Sequence, residues 1–214
     1  MAQFKYKSTY PNGIQDVTLS KYNSELSNIG FKYGTDKCWV NSNHKNYLYH
    51  MEEFMKKNRY EEINLLEIGV RDGPCVKTFE EYFSNCNNII GVDINPQCKK
   101  HEKGKIKIII GDINNENTHI AINNIMINEK FDYILDDGSH DMHDITKTFK
   151  YFWSKLKTGG WYIIEDLNNP YKKNQVNMFE KFCLSIIHML NNTQNIDYDE
   201  FRITPYLLCI RKIK

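Results

Sequence analysis

Short apolar runs alternate along the chain with helix-length segments, and this alternation constrains the fold more than any other feature of the sequence. Five runs are nearly continuous in apolar residues and bounded by turn residues, as strands buried on both faces of a parallel sheet are. They are 63–70, 89–94, 106–112, 131–136 and 161–165. The segments between them include 76–84, 118–127 and 145–156, the last ended by a Thr-Gly-Gly helix stop at 158–160. Strands joined by crossover helices predict a parallel sheet with helices on both faces.

Both ends of the chain depart from this alternation. Near the N-terminus, 22–29 and 44–57 are predicted helices joined by a loop that contains glycine. Near the C-terminus, a predicted helix at 176–190 precedes two strands at 200–204 and 206–211. Two strands so close in sequence leave no room for a crossover helix, so they must pair as an antiparallel hairpin. The predicted fold class is α/β, a Rossmann-like, doubly wound, mostly parallel seven-stranded sheet with a C-terminal antiparallel hairpin.

Length, charge and cysteine spacing narrow the function classes. The 214 residues suffice for one domain, which we divide into an N-terminal helical lid at 1–58 and a core at 59–214. The formal net charge is +1, so the chain lacks the basic excess of nucleic-acid-binding proteins. Its six cysteines form no C-x-x-C pair, which argues against a zinc knuckle and fits a reduced compartment. With no apolar leader and no run of about 18 apolar residues, the chain is predicted to be soluble and cytoplasmic, without a membrane partner.

The residues that follow the first three strands predict a nucleotide-like cofactor site, because ligands of open α/β sheets bind beyond the carboxyl ends of the strands. Glu67 leads to Gly69 and Gly73, where glycine lets the backbone approach a ligand and a helix N-terminus offers N–H donors. Asp93, 26 residues after Glu67, is placed to accept hydrogen bonds from a ribose diol. Its plainer role is a helix cap or a solvated loop residue. Asp112 ends the third strand, where it would reach an adenine amino group or cap the next turn.

The first of these turns also separates two cofactor classes. A dinucleotide site needs a second glycine to make room for pyrophosphate, and Arg71 stands at that position. Glu67 would place a negative charge beside any phosphate. S-adenosylmethionine has no phosphate and carries cationic sulfonium and ammonium groups, so an acidic site suits it better. The sequence therefore favours S-adenosylmethionine over NAD.

Carboxylates gather after the fourth and fifth strands. The run Asp-Asp-Gly-Ser-His at 136–140 follows one strand, and Glu165 and Asp166 follow the next. Neighbouring parallel strands end at the same sheet edge, and several carboxylates there would repel one another unless a cation lies between them. Oxygen ligands without a thiolate indicate Mg²⁺, or else Mn²⁺ or Ca²⁺. His140, three residues after Asp137, lies within reach as a general base.

Each of these residues also has a plainer interpretation. Asp136 and Asp137 could cap the following helix, and the carboxylates at 165–166 could be a solvated loop pair. His140 could be a structural histidine, and His143 is close enough to take the role of base instead. The convergence of all of them at neighbouring strand ends favours a chemical site.

Three motifs resemble those of the metal-dependent sugar O-methyltransferases related to the mycinamicin and macrocin enzymes. They are Leu-Glu-Ile-Gly-Val at 66–70, Asp-Gly-Ser-His at 137–140 and Ile-Glu-Asp at 164–166. The upstream run Lys-Tyr-Gly-Thr-Asp-Lys at 32–37, followed by His44, Tyr47 and Tyr49, is similar to a pattern of that group, as is the terminal strand at 206–212. The resemblance covers most of the chain from Ile29 onward. A parallel sheet closed by an antiparallel hairpin is also how the class I methyltransferase fold ends.

The resemblance implies a methyltransferase with S-adenosylmethionine and Mg²⁺ or Mn²⁺ as cofactors. Asp137, Glu165 and Asp166 would bind the metal. His140 would deprotonate the acceptor hydroxyl, and His140 and Asp137 form the implied catalytic set. The implied cofactor-binding residues are Tyr33, Thr35, Lys37, Glu67, Gly69, Asp72, Gly73, Asp93, Asp112 and Asp136. The segment 33–37 would close over the cofactor. The 214 residues hold no counterpart of the long auxiliary region of some macrolide enzymes, and the turn at 71–72 is poorer in glycine than the usual motif.

The leading hypothesis is methyl transfer to a hydroxyl of a sugar or sugar nucleotide, so the predicted partner is a small-molecule acceptor. A catechol-type enzyme acting on an aromatic diol would use the same metal chemistry, and Trp39, Tyr47 and Tyr49 could line either acceptor pocket. A cofactor-binding regulatory protein would not need the acidic cluster. A nucleic-acid methyltransferase is disfavoured, since Asn-Pro-Tyr at 169–171 matches an Asn-Pro-Pro-Tyr motif only in part. A homodimer would suit the fold, although the sequence demonstrates none.

Overall fold

A seven-stranded mixed sheet forms the centre of the molecule. The computed structural model describes residues 24–39, 46–191, 198–204 and 206–213. The strands, β1 to β7 in chain order, are Asn64–Ile68, Asn88–Asp93, Ile106–Ile110, Phe131–Asp136, Leu156–Ile164, Tyr198–Thr204 and Leu207–Lys212. They lie in the order β3-β2-β1-β4-β5-β7-β6. The first five strands are parallel, β7 is antiparallel to β5, and β6 is antiparallel to β7. The predicted fold class, including the C-terminal hairpin, is confirmed.

Helices cover both faces of this sheet. The α-helices, α1 to α7 in chain order, are Glu25–Tyr33, Tyr47–Met55, Pro74–Tyr82, Glu116–Ile125, Met142–Phe152, Asn169–Lys172 and Val176–Asn191. One apolar core joins α1, α2 and α3 to the sheet, and a second core joins α4, α5 and α7 to the opposite face. The N-terminal helices thus share a core with the strands, and the division into a lid at 1–58 and a core at 59–214 stays a prediction. No helix in the described ranges is long and apolar enough to cross a membrane.

The central strand β1 shows why its sequence is nearly continuous in apolar residues. All five of its residues are buried. Leu65 packs into the core with α1–α3, while the next residue, Leu66, packs into the core with α4, α5 and α7. Side chains of a strand alternate between the two faces, so a strand covered on both sides needs apolar residues at consecutive positions. Each buried leucine stabilises the fold by roughly 1.5–3 kcal/mol.

The two N-terminal helices end at different residues from those predicted. Helix α1 is capped by Ser24, whose side chain accepts from the backbone N–H of Ser27, and it continues past 29 to Tyr33. It ends at Gly34, which has a φ of 81°, because a left-handed residue terminates a helix and glycine adopts that conformation without strain. Helix α2 begins at Tyr47 and is followed by a 3₁₀ turn at Lys56–Asn58. Residues 22–23 and 44–45 of the two predicted helices lie outside the described residues.

The predicted helix stop at 158–160 is wrong. Helix α5 begins earlier than predicted, at Met142, and ends at Phe152. After a 3₁₀ turn, β5 starts at Leu156 and runs through both glycines. Its register with β4 shifts between Phe131 and Tyr133, and glycine inside a strand is typical of such a bulge. The glycines therefore mark an irregular strand and not the end of a helix. The short helix α6 was not predicted, whereas the helix expected at 176–190 is confirmed as α7.

Candidate active site

A cavity of about 590 Å³ opens at the carboxyl ends of the parallel strands, a volume within the usual range for small-ligand sites. Nine of the predicted site residues line it: Lys37, Gly69, Asp93, Asp112, Asp136, Asp137, His140, Glu165 and Asp166. A smaller cavity of about 40 Å³ includes three more predicted site residues, Thr35, Glu67 and Asp72, and it shares part of its lining with the larger one. Among the described residues that line the two cavities, Tyr33 and Gly73 do not appear.

The central strands end at the same level of the sheet, and this brings the predicted site residues together. Asp136, the last residue of β4, pairs with Ile68 of β1 on one side and with Ile164 of β5 on the other. The residues that follow each strand therefore begin at the same height. The expected convergence of the strand ends is confirmed.

Gly69 is required by the protein backbone itself. Its φ is +91°, and a Cβ atom added there would lie 2.2 Å from the carbonyl oxygen of Asp137. Any other residue would combine an unfavourable φ with a clash against backbone, which cannot move as a side chain can. The turn after β1 therefore packs so closely against the segment after β4 that only glycine fits at this position.

Asp93 is held by three backbone N–H groups. Its Oδ2 accepts hydrogen bonds from the amides of Val70 (2.9 Å) and Arg71 (2.8 Å), and its Oδ1 accepts from the amide of Asn95 (2.8 Å). Burial works to raise the pKa of the Asp93 carboxyl, but these hydrogen bonds outweigh it and hold the pKa below its ordinary value. The carboxylate thus fixes the turn after β1 while still lining the cavity.

Arg71 and Asp112 shape the same side of the cavity. Arg71 has a φ of 52°, and its guanidinium lies 3.1 Å from the carboxylate of Asp36. Asp112 accepts from the amide of Asn114 at 2.8 Å, which closes a local turn. Asp112 therefore has the capping role that the sequence left open, and it also lines the cavity.

Glu67 is buried without a hydrogen bond. Neither of its carboxylate oxygens has a partner among the described residues. Burial raises the pKa of Glu67 to about 7, although the Lys37 ammonium works in the opposite direction. An unsatisfied buried carboxylate beside a cavity fits a cationic ligand group such as an ammonium. A carboxylate at this position suits a cationic group better than a phosphate, as expected of Glu67 from the sequence.

After β4 and β5, Asp137, His140 and Asp166 form a cluster whose ligand atoms all lie within 4.8 Å of one another. His140 Nε2 lies 3.7 Å from Asp137 Oδ1 and 3.6 Å from Asp166 Oδ2. His140 and Asp166 both have a positive φ, 53° and 56°, an uncommon conformation that His and Asp adopt more readily than most residues. The two sharp turns direct both side chains to the same point.

Lys37 lies between two carboxylates of this site. Its Nζ donates to Asp137 Oδ2 and, at 2.7 Å, to Glu165 Oε2. The side chain of Lys37 is 5% exposed and that of Glu165 is 1% exposed. Burial alone would lower the pKa of Lys37, but the two carboxylates outweigh it and raise the pKa well above its ordinary value. Lys37 was predicted to bind the cofactor, and its charged end instead contacts the residues predicted to hold the metal.

Tyr47 reaches the remaining carboxylate. Its hydroxyl donates to Asp166 Oδ1 at 2.8 Å, and its side chain is buried. The sequence placed Tyr47 in an acceptor pocket and did not connect it with Asp166, because the two residues are 119 positions apart. Of the other residues named in that upstream pattern, Tyr49 does not line the cavity as the described residues define it, and His44 lies outside them.

The donor set of this cluster fits a divalent cation. Oε1 of Glu165 is buried and has no hydrogen-bond partner among the described residues. Among the described residues, Glu165 is not a member of the close group formed by Asp137, His140 and Asp166, although Lys37 bonds to both Asp137 and Glu165. Asp137 Oδ1 and Asp166 Oδ2 lie near His140 but beyond hydrogen-bond distance from it. Carboxylate oxygens, with no thiolate, are ligands that suit Mg²⁺ or Mn²⁺, and a metal held by them alone leaves His140 Nε2 able to accept a proton.

Asp136 and His143 differ from the cluster residues beside them. Asp136 accepts from the hydroxyl of Tyr162 at 3.1 Å, and burial raises the pKa of its carboxyl to about 7. Helix α5 is capped by Asp141, which accepts from the amide of His143, so neither Asp136 nor Asp137 has that role. His143 does not line the cavity within the described part of the chain. The sequence could have indicated the contact between Tyr162 and Asp136 only through the single hydroxyl that Tyr162 brings to an apolar run.

A hydrogen-bonded clamp holds the segment around His140. Gln175 donates to Asp141 Oδ2 at 2.7 Å and accepts from the amide of Met142 at 3.0 Å. Lys173 donates to the carbonyl of Ser139 at 2.7 Å. Both donors come from the loop between α6 and α7, more than 30 residues away, so no local pattern could have indicated them.

No family model matches the chain. Three curated relatives do, each over part of its length. Demethylmacrocin O-methyltransferase of Streptomyces fradiae is 30% identical over 132 residues, which are 57% of this chain and 32% of that protein. Mycinamicin VI 2''-O-methyltransferase of Micromonospora griseorubida is 27% identical over 159 residues, 69% of this chain and 37% of that protein. A tetracenomycin-C 2'-O-methyltransferase of Streptomyces olivaceus, acting on the 8-demethyl-8-alpha-L-rhamnosyl compound, is 24% identical over 153 residues, 68% of this chain and 38% of that protein. The chain spans about a third of the length of these relatives.

Solved structures of similar fold are methyltransferases. The MycE methyltransferase of the mycinamycin biosynthetic pathway, solved with Mg and SAH, has a TM-score of 0.77 and 22% identity over 90% of this chain and 55% of that chain. An rRNA methylase of Streptococcus thermophilus has a TM-score of 0.55 and 10% identity over 79% of this chain and 98% of that chain. At these identities the likeness shows the fold. The chain therefore has the class I methyltransferase fold, and its sequence resembles the sugar O-methyltransferases of the macrocin and mycinamicin type.

Proposed function

We propose that the chain is an S-adenosylmethionine-dependent, metal-assisted O-methyltransferase that acts on a hydroxyl of a sugar or sugar nucleotide. The observation that carries the proposal is the convergence of Asp137, His140, Glu165 and Asp166 on one side of a 590 Å³ cavity whose other side holds Asp93. This arrangement supports a base and a cation site next to a cofactor site. The acceptor class is supported by the curated relatives, which are sugar O-methyltransferases by name.

The cofactor would lie along the ends of β1, β2 and β3. Asp93 would hold the ribose, since a carboxylate with three hydrogen bonds retains capacity for another donor. Asp112 would reach the adenine amino group. The acidic wall formed by Glu67 and Asp72 would face the cationic methionine end. When bound, S-adenosylmethionine supplies an electrophilic methyl group on sulfur.

The acceptor would lie against the carboxylate cluster. Asp137, Glu165 and Asp166 would hold Mg²⁺ or Mn²⁺, which when bound lowers the pKa of a nearby hydroxyl. His140 faces the same cluster and would take the hydroxyl proton at Nε2. As that proton leaves, the acceptor oxygen forms a bond to the methyl carbon and the carbon–sulfur bond breaks, with the electron pair passing to sulfur. The residues thus account for both the proton and the methyl group.

An aromatic-diol acceptor is less well supported. Of the three aromatic residues that could line a pocket for it, Trp39 packs against the apolar core with α1–α3, and Tyr49 does not line the cavity as described. Tyr47 does line the cavity, but its hydroxyl is bonded to Asp166. The aromatic residues named for that pocket therefore give this acceptor class little support.

The first experiment is calorimetric titration of the protein with S-adenosylmethionine and with NAD⁺, each with Mg²⁺ and with EDTA. We expect the protein to bind S-adenosylmethionine and not NAD⁺, because the acidic side chains of Glu67 and Asp72 disfavour a phosphate group. Binding of NAD⁺ instead, or of neither ligand, contradicts the proposal. A screen of glycosyl and phenolic acceptors would then separate the two acceptor classes.

Replacement of His140 tests the base. His140→Ala should reduce turnover by at least about 10²-fold, the usual contribution of a general base, with S-adenosylmethionine affinity nearly unchanged. His143→Ala is the matched control, because His143 is three residues away and outside the cavity lining, and it should retain activity. Loss of cofactor affinity in His140→Ala would assign His140 a structural role.

A further inference from the structure

Two side chains of the N-terminal segment bond to all three carboxylates of the proposed cation site. Lys37 lies in a 3₁₀ turn at Asp36–Cys38. Thr35 caps this turn, and its hydroxyl accepts a hydrogen bond from the amide of Lys37. Tyr47 is the first residue of α2. Lys37 donates to one oxygen of Asp137 and one of Glu165, and Tyr47 donates to one oxygen of Asp166. Each carboxylate therefore has one oxygen fixed by a residue that precedes the sheet in sequence.

The second oxygen of each carboxylate is left without a hydrogen bond within the described residues. Glu165 Oε1 is buried with no partner. Asp137 Oδ1 and Asp166 Oδ2 approach only His140, at 3.7 Å and 3.6 Å, which is beyond hydrogen-bond distance. The bonded oxygens are those that meet Lys37 and Tyr47. Of the other three, those of Asp137 and Asp166 belong to the group whose ligand atoms lie within 4.8 Å of one another, and that of Glu165 is buried beside the shared Lys37 contact.

We propose that Lys37 and Tyr47 are positioning residues of the cation site, each holding one oxygen so that the other is presented to the metal. The inference rests on the proposed function, since it concerns the cation of that same site. Donors behind metal-ligating groups orient those groups, and their loss weakens metal affinity by about 10–100-fold. The alternative is that the Lys37 ammonium takes the place of the cation and competes with it.

Mn²⁺ binding to the whole chain, followed by electron paramagnetic resonance of the unbound ion without S-adenosylmethionine, tests the role of Tyr47. Tyr47→Phe removes one hydroxyl and no charge, and it should weaken Mn²⁺ affinity by about 10-fold. Tyr133→Phe is the matched control, because Tyr133 is equally buried and its hydroxyl donates to Asn58 at 2.8 Å, away from the site. The control should bind Mn²⁺ as the native chain does. Equal affinity in Tyr47→Phe and the native chain overturns the role of Tyr47.

The same titration tests Lys37. Lys37→Met should weaken Mn²⁺ affinity by 10-fold or more, because Asp137 and Glu165 lose the donor that orients them. Lys157→Met is its control, since Lys157 forms an ion pair with Asp132 at 2.8 Å away from the cluster. Tighter Mn²⁺ binding in Lys37→Met would show competition and overturn the proposal for Lys37. If Lys37→Met does not fold, Tyr47→Phe still decides the proposal.

The native chain separates the two levels of inference. Absence of Mn²⁺ binding to the native chain contradicts the metal-assisted function itself. Native binding with unchanged affinity in both variants contradicts only the positioning roles.

Discussion

Two carboxylates at strand ends, Asp93 and Asp166, are fixed in opposite ways. Asp93 is held by amides of its own loop and of the adjacent turn, at Val70, Arg71 and Asn95. Asp166 is held by the side chain of Tyr47, which lies 119 residues earlier. Backbone donors are present in any sequence that adopts the turn, whereas a side-chain donor requires one residue type at one distant position. The proposed cofactor half of the site therefore depends on backbone donors, and the proposed chemical half depends on side chains that pack from a distant segment.

The two halves pack against each other at Gly69, and we expect its replacement to have the largest effect on stability. In Gly69→Ala the Cβ atom would meet the carbonyl of Asp137 at 2.2 Å with φ at +91°. We expect the free energy of unfolding to fall by about 3 kcal/mol or more, from backbone strain and overpacking together. Urea unfolding measures it.

Gly104→Ala is the control for backbone conformation. Gly104 also has a positive φ, but a Cβ atom there would meet only the end of the Glu80 side chain, at 3.0 Å. Its cost should be about 1 kcal/mol. Equal losses in both variants would show that φ alone makes Gly69 necessary and that the two halves are not joined there.

We expect replacement of Asp93 to have the second-largest effect on stability. Asp93→Ala removes three charge-assisted hydrogen bonds, so we expect the free energy of unfolding to fall by about 2–4 kcal/mol. Cofactor affinity should fall with it, because the turn after β1 loses its anchor. Asp93→Asn keeps an acceptor oxygen and should lose less. Denaturant unfolding and calorimetry of both variants measure stability and cofactor affinity. A loss of cofactor affinity without a loss of stability would show that Asp93 contacts the cofactor but does not hold the turn.

The stability that Asp93 provides should depend on pH. Its pKa is lower in the folded state than in the unfolded chain. A carboxylate with a depressed pKa stabilises the fold above the unfolded value of about 3.9. That stabilisation is lost as the pH falls through the lower, folded value. The difference in unfolding free energy between the native chain and Asp93→Asn should therefore shrink from pH 5 to pH 3, as followed by urea titration. A constant difference would contradict this.

The clamp at Gln175 should show the smallest effect on stability. Gln175→Leu keeps the approximate volume and removes the bonds to Asp141 and Met142. We expect about 1 kcal/mol loss in unfolding free energy and roughly a 10-fold lower kcat with KM nearly unchanged, since the segment carrying His140 loosens. Steady-state kinetics measures both constants. A rise in KM alone would place Gln175 in substrate binding.

The sequence was sufficient for the features that depend on local pattern. The parallel strands followed from the apolar runs, and the C-terminal hairpin followed from the short connection between its strands. The carboxylates at 165–166 were placed correctly at a strand end because they follow the strand directly. The glycines at 159–160 misled, since glycine marks a bulge as readily as a helix end. The contacts of Lys37 and Tyr47 could not be derived, because each depends on how the N-terminal segment packs against a sheet that starts later in the chain.

The ammonium of Lys37 has a consequence for the order in which the molecule assembles. Many small metalloproteins cannot fold until the ion arrives, because their ligands repel one another in its absence. Here the chain carries an internal positive charge that is bonded to Asp137 and Glu165. Much of the repulsion is therefore neutralised during folding itself. With the proposed function, folding and metal loading would be separate events, and the supply of the ion would govern turnover without governing the amount of folded protein.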